Sequence, residues 1–264
     1  AETDAESAVR YRTGIGPCLG YAESDLDLAG IGQNNEVVPT KKDVVMKNKD
    51  WSRLIGELAT VCSEKTLDEK WLIAPSRRVG FQWLDQATGA GRGVLNVRVK
   101  TLPSMALELA SAELARKGSS RITEMQGELL IGALFSKLPK KSRGYIANLD
   151  KTPGLIEALS NSIRDMRLAG VRVEEIRPTT FEVETKGVEM AALLEMYEAA
   201  LEKEGLVDDA DLFRMATSRL GQDPSAIPKG AVVLLPSDMS SRLKGLVSRM
   251  WEAIPGDRKK ILEV

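Results

Sequence analysis

The chain has 264 residues, 43% of them hydrophobic, with 37 basic against 38 acidic side chains and a net charge of -1. That size supports a substantial core in one large α/β domain or a domain with an extension, and the balanced charge leaves only local patches to argue for a polyanionic partner. Histidine is absent, which removes histidine bases, Ser-His-Asp and Cys-His relays and histidine metal ligation from this chain.

Residues 1–45 are rich in Gly, Asp, Glu, Asn and Thr and hold no period, so a poorly ordered or non-native leader ahead of Met46 is expected. Trp51, Leu54, Ile55, Leu58, Val61 and Cys62 then fall at helical spacing behind Asp50 as N-cap. Trp71 to Ala74 reads as a strand stopped by Pro75-Ser76. A helical segment, a Gly-rich turn at Gly89 to Gly93 and a strand over Leu95 to Val99 follow. Thr101-Leu102-Pro103 opens a helix marked by Met105, Leu107, Leu109 and Leu114. Strand, helix, strand, helix in about forty residues is the grammar of a parallel sheet covered by helices.

Mainly helices come next, forming a helical insertion at about 120–222. Ile122, Met125, Leu129 and Leu134 mark one, and Lys137, Lys140, Lys141 and Arg143 form a basic turn behind it. Thr152-Pro153 starts another, with Leu155, Ile156, Leu159, Ile163 and Met166 on its stripe and Gly170 at its end. Residues 171–187 are mixed, with a short strand or loop around Phe181 and Val183. A helix through Met190, Leu193, Leu194, Tyr197 and Leu201 stops at Gly205, and Asp208, Asp209 and Asp211 begin its successor. Ala231 to Leu235 is a buried strand. Pro236-Ser237-Asp238 caps a helix carrying Met239, Leu243, Leu246, Val247 and Met250, and residues 260–264 read as a further strand.

The chemical motifs are sparse. The glycines at 14 and 16 and at 89–93 lack the strand-then-helix context of a phosphate loop, and there is no G-x-x-x-x-G-K-[ST]. Asp208, Asp209 and Asp211 are a carboxylate cluster or, more simply, acids at a helix start; no metal and no cofactor is expected. Cys18 and Cys62 make neither a disulfide framework nor a zinc site, and Cys62 reads as a buried thiol. No apolar run approaches the ~20 residues of a membrane span and no signal-like segment opens the chain, so no membrane partner and a cytoplasmic location are expected.

The loops leaving the two strand ends carry most of the functional signal. Ser76, Arg77 and Arg78 open a helix whose N-terminal amides favour anions. With Gln82, Arg98, Lys100, Thr101 and Ser104 they form either a surface that holds a sugar-phosphate backbone without reading bases or a solvated charged edge.

W-L-I-A-P-S-R-R-V-G-F-Q-W-L, L-N-V-R-V-K-T-L-P-S-M-A-L-E-L-A, L-I-E-A-L-S-N-S-I-R-D-M-R-L-A-G-V and Y-E-A-A-L-E-K-E-G-L-V-D-D-A-D-L resemble, in this order and spacing, the N-terminal part of AddB-type helicase-nuclease subunits. These are relatives of superfamily I DNA helicases with a PD-(D/E)XK nuclease domain at the far C-terminus. The resemblance covers about residues 48–264 and implies a degenerate P-loop-type sheet. It also implies that the loops Pro75 to Gly80 and Thr101 to Ser104 contact single-stranded DNA. Pro103 stands where active helicases usually place a histidine. Val232 to Leu235 with Pro236-Ser237-Asp238 takes the place of the Walker B segment without its Asp-Glu pair, which implies a dead ATPase.

The nuclease signature of those relatives is not in this sequence. The implied role is a non-catalytic scaffold and single-stranded DNA guide in repair or recombination, offering Arg77, Arg78, Lys100 and the Lys137 to Arg143 turn to phosphates. The rivals are a docking module for an active helicase subunit and a nucleotide-using Rossmann-like enzyme.

Overall fold

Alternate residues of the short strands point to opposite faces of a sheet, and here both faces are covered. The computed structural model describes residues 41–89, 93–139, 144–235 and 243–262, all within one compact unit, Lys41–Val264. In chain order the elements are α1 (Lys41–Ser63), β1 (Lys70–Ile73), α2 (Arg77–Gly89), β2 (Val97–Lys100), α3 (Leu102–Lys117), β3 (Ser120–Arg121) and α4 (Glu124–Phe135). They continue with α5 (Pro153–Ala169), α6 (Glu184–Lys203), β4 (Leu206–Val207), α7 (Asp209–Gln222), β5 (Val232–Leu234), α8 (Gly245–Glu252) and β6 (Lys259–Ile261).

β2, β1, β5 and β6 lie in that order in a parallel sheet, the α/β architecture expected from the sequence. Trp71, Ile73, Val232 and Leu234 pack towards α3, α7 and α8. Leu72, Ala74, Val99, Val233 and Leu235 pack towards α1 and α2, and buried Cys62 sits among them. Desolvation in that layer pushes the Cys62 thiol up to about 11. Two glycines permit the close approaches that the sheet requires. A Cβ on Gly80 would stand 2.2 Å from Val99 Cγ1, so α2 lies directly on β2; one on Gly230 would stand 2.4 Å from the Glu69 carbonyl oxygen.

A third core belongs to the helical insertion, where Ile131, Phe135, Leu159, Ile163, Leu193 and Leu194 pack together from α4, α5 and α6. The chain enters and leaves this lobe through the two-stranded parallel pair β3–β4, with Ser120 opposite Leu206 and Arg121 opposite Val207. Helix α7, expected inside the insertion, instead packs on α3 in the sheet's own layer. The insertion therefore closes near Gly205, whose φ of 63° ends the turn after α6.

Several local expectations are corrected. Asp50 lies within α1 and does not cap it, because no breaker stands between Pro39 and Gly56. β2 begins at Val97 and not Leu95: Asn96 takes a positive φ of 54° and its Nδ2 donates to the Thr66 carbonyl at 2.9 Å, which ends the turn there. Met125 and Leu129, assigned to the buried stripe of α4, are 72% and 69% exposed. Its buried face is Gly127, Ile131, Leu134 and Phe135. Of the two alternatives around Phe181 and Val183, the loop is found: residues 173–175 and 178–180 are short 3-10 turns and 181–183 bend into α6. α8 starts after Lys244, and Asp238 and Met239 lie outside the described residues. The expected leader lies outside them as well, except for its last residues, which are helical in α1.

Candidate nucleic-acid interface

β1 ends where the Ala74 N–H donates to the Lys100 carbonyl at 2.9 Å, and the chain turns through Pro75 into α2. Ser76 caps that helix: its Oγ accepts from the Val79 N–H at 3.3 Å and its carbonyl from the Gly80 N–H at 3.1 Å. Arg77 and Arg78 then occupy a first turn that contains no acid. Both are exposed, and neither has a carboxylate partner among the described residues. Two guanidinium groups at the positive end of a helix repel its dipole, an arrangement that an arriving anion relieves.

Helix geometry carries Arg77 and Phe81, four residues apart, onto one face. Trp83, Leu84 and Ala87 turn inward, and Trp83 packs on Trp51 with ring centroids 4.5 Å apart. Because Gly80 seats α2 on β2, Arg77 and Phe81 overhang the open edge of the sheet, where β2 is the terminal strand. There they meet Arg98 of β2 and Ser104 and Leu107 of α3 around a cleft of about 570 Å³. The carbonyls of Asn96 and Lys100 face β1, so by alternation the backbone groups of Val97 and Val99 face the cleft side. Arg98 is mostly exposed, although its Nε lies 3.2 Å from Glu69. Phe81 is 55% exposed and is the aromatic residue of the cleft.

No family model matches this chain, and no curated protein matches it.

The other predicted residues divide by what already occupies them. Lys100 is not a free cation, contrary to expectation. It is buried, its ammonium donates to Glu108, and it lies 4.4 Å above the Trp71 ring. Helix α3 supplies that partner two turns in, which neutralises a lysine that a strand end would otherwise have exposed. Thr101 and Ser104 form a capping box on α3: Thr101 Oγ1 accepts from the Ser104 N–H at 3.3 Å and Ser104 Oγ from the Thr101 N–H at 2.9 Å. Their first task is to start α3. Gln82 is exposed but is not part of the cleft lining. Lys137 is exposed, while Lys140, Lys141 and Arg143 lie outside the described residues.

The strand-end surface is thus two clefts and not one. Thr101 lines the second, a largely apolar crevice of about 440 Å³ at the carboxyl ends of β1 and β2, together with Pro75, Pro103, Phe213, Lys244 and Val247. That position outside strand ends is where open parallel sheets receive ligands.

The acids at 208–211 are committed elsewhere. The Arg167 side chain, 4% exposed, donates from Nε to Asp208, from Nη1 to Glu198 and from Nη2 to Asp211 at 2.8 Å. Burial works against its charge, but the hydrogen bond and charge of Asp208, with Asp211 and Glu198, outweigh it and raise its pKa above the ordinary guanidinium value. Asp209 accepts from Arg121 Nη2 at 2.7 Å. Among the described residues there is no group of three or more acidic, cysteine or histidine side chains arranged for a metal. These carboxylates hold the insertion to the sheet layer. Phe81 and Arg167 are the residues whose roles the sequence did not disclose.

Proposed function

We propose that this chain is a non-catalytic, helicase-like scaffold of a DNA repair or recombination helicase-nuclease, and that it guides single-stranded DNA along the open edge of its sheet. In this reading it is a degenerate P-loop-type domain and works in the cytoplasm. The observation that carries the proposal is the union of Arg77, Arg98 and Ser104 in one cleft, with Arg77 and Arg78 uncompensated among the described residues at a helix N-terminus. Such a surface neutralises phosphates without reading bases. If Arg77, Arg78 and Arg98 each neutralise one phosphate, single-strand binding weakens by about tenfold or more across a fourfold rise in salt. Among the described residues no helix is long and apolar enough to cross a membrane.

Fluorescence anisotropy of a labelled single strand tests this directly. The wild-type chain should bind and weaken with salt, and Arg77→Glu/Arg78→Glu should lose most of the affinity. A flat salt response, or unchanged binding by the double variant, would remove the guide role.

One observation favours a second reading. Met125 and Leu129 stand one turn apart on the outer face of α4, both strongly exposed. A docking module for an active helicase subunit would use such a stripe. It would keep its partner after the Arg77/Arg78 charge reversal and lose it after Met125→Glu/Leu129→Glu.

A further inference from the structure

We infer that Phe81 is a base-stacking platform and that it makes the cleft selective for unpaired over paired nucleic acid; this rests on the guide reading and adds its specificity-determining residue. Three features of the structure lead to it. First, Phe81 takes no part in the core beneath α2. That face belongs to Gly80, Trp83, Leu84 and Ala87, and the ring projects outward with more than half its surface in water. Second, its position is fixed from below. Gly80 sits against Val99 with no room for a methyl group, so the residue after it cannot drift from the β2 edge. Third, its neighbours suit a nucleotide. Arg77 lies one turn before it on the same helix face, Arg98 lies on the adjoining strand, and all three line the same cleft.

Each component matches a different part of one ligand. A guanidinium pairs with phosphate oxygens in a forked geometry, and an aromatic face stacks on any base because every base presents a π surface. In a duplex the bases are already stacked on one another, so the ring has nothing to receive and only the arginines can act. The charge pattern agrees with a polyanion. Lys100 and Glu108 cancel within the cleft wall, which leaves Arg77 without a carboxylate among the described residues and Arg98 paired only with half-buried Glu69, whose Oε1 also accepts from Trp71.

The experiment compares the full chain with Phe81→Ala, Phe81→Leu and Phe81→Trp, titrating a labelled oligothymidylate and a labelled duplex of equal length at low salt. Leucine keeps apolar bulk without a π face, and tryptophan keeps the face. Wild type and Phe81→Trp should prefer the single strand. Phe81→Ala and Phe81→Leu should lose about tenfold in single-strand affinity, within the range for one stacked base, and keep duplex affinity unchanged. Equal thermal midpoints for all four proteins would confirm that the ring is not structural. If single-strand binding depends on Arg77 and Arg78 but is indifferent to Phe81, the stacking role is overturned while the guide reading stands. If Phe81→Leu binds as wild type does and only Phe81→Ala fails, bulk and not stacking is the cause, and the inference falls. If the wild-type chain binds neither oligonucleotide at low salt, the guide reading falls and this inference with it.

Discussion

Two arginine sites in this molecule are chemically alike and structurally opposite. Arg167 is enclosed by Glu198, Asp208 and Asp211 and joins α5 and α6 of the insertion to α7 of the sheet layer. Arg77 stands at the exposed start of α2 without a carboxylate, beside Arg78 and above Arg98. The difference teaches that a cation becomes structural or functional according to what its neighbours have left unsatisfied. At Arg167 the protein supplies the counter-charges; at Arg77 the described residues supply none, and in the reading proposed above a phosphate would.

The largest expected effect lies on the buried side. Arg167→Met leaves three carboxylates around an apolar side chain and should cost about 3–5 kcal/mol in urea unfolding, the usual penalty for orphaning a buried charge. An intact midpoint would mean that the knot contributes nothing. Lys100→Gln comes next, because it breaks the pair with Glu108 in the cleft wall. Stability should fall by about 1.5–3 kcal/mol, as for a lost charged hydrogen bond, while the salt dependence of DNA binding stays as in wild type; a shallower slope would return Lys100 to the phosphate contacts.

Gly80→Ala tests the contact that positions Phe81. Overpacking against Val99 should cost about 1–3 kcal/mol, and it outweighs about 1 kcal/mol of helix propensity gained. Circular dichroism melts would show a net loss, and a rise in midpoint would mean that α2 can lift from β2 freely. The smallest effect has the opposite sign. Arg77→Glu/Arg78→Glu places acids at the helix N-terminus and should stabilise by about 0.3–1 kcal/mol per charge at low salt, even as DNA affinity is lost. A variant both less stable and unable to bind would make these arginines structural, like Arg167.

How much of this was legible in the sequence depends on how local each signal is. The order β1, α2, β2, α3 was readable because period and punctuation change together at Pro75, Thr101 and Pro103. Thr152, Gly170 and Asp208 act where the residue type predicts, as two N-caps and a left-handed C-cap. Helix α4 was misread because Leu129, Leu130, Ile131, Leu134 and Phe135 give it apolar side chains on several faces, and only the packing of α5 and α6 decides which are covered. Lys100 was misassigned because its partner lies eight residues away on another element. Phe81 became readable as an outward residue once Trp83 was found against Trp51. The two-residue strands β3 and β4 are too short for any period to reveal.

That short pair has a consequence of its own. The chain departs for the helical lobe beside Leu206 and resumes beside Ser120, two backbones held at about 5 Å by ladder hydrogen bonds. Everything between is a closed excursion whose contour length has no bearing on whether β5 reaches β1. Chain length within the lobe is therefore uncoupled from the closing of the sheet, but α5 is not free to be exchanged, because Arg167 and Leu168 hold it against α7 and the sheet-layer core. Any change of length in this lobe would have to fall in the connections between its helices, with the β3–β4 pair and the Arg167 pairs left in place.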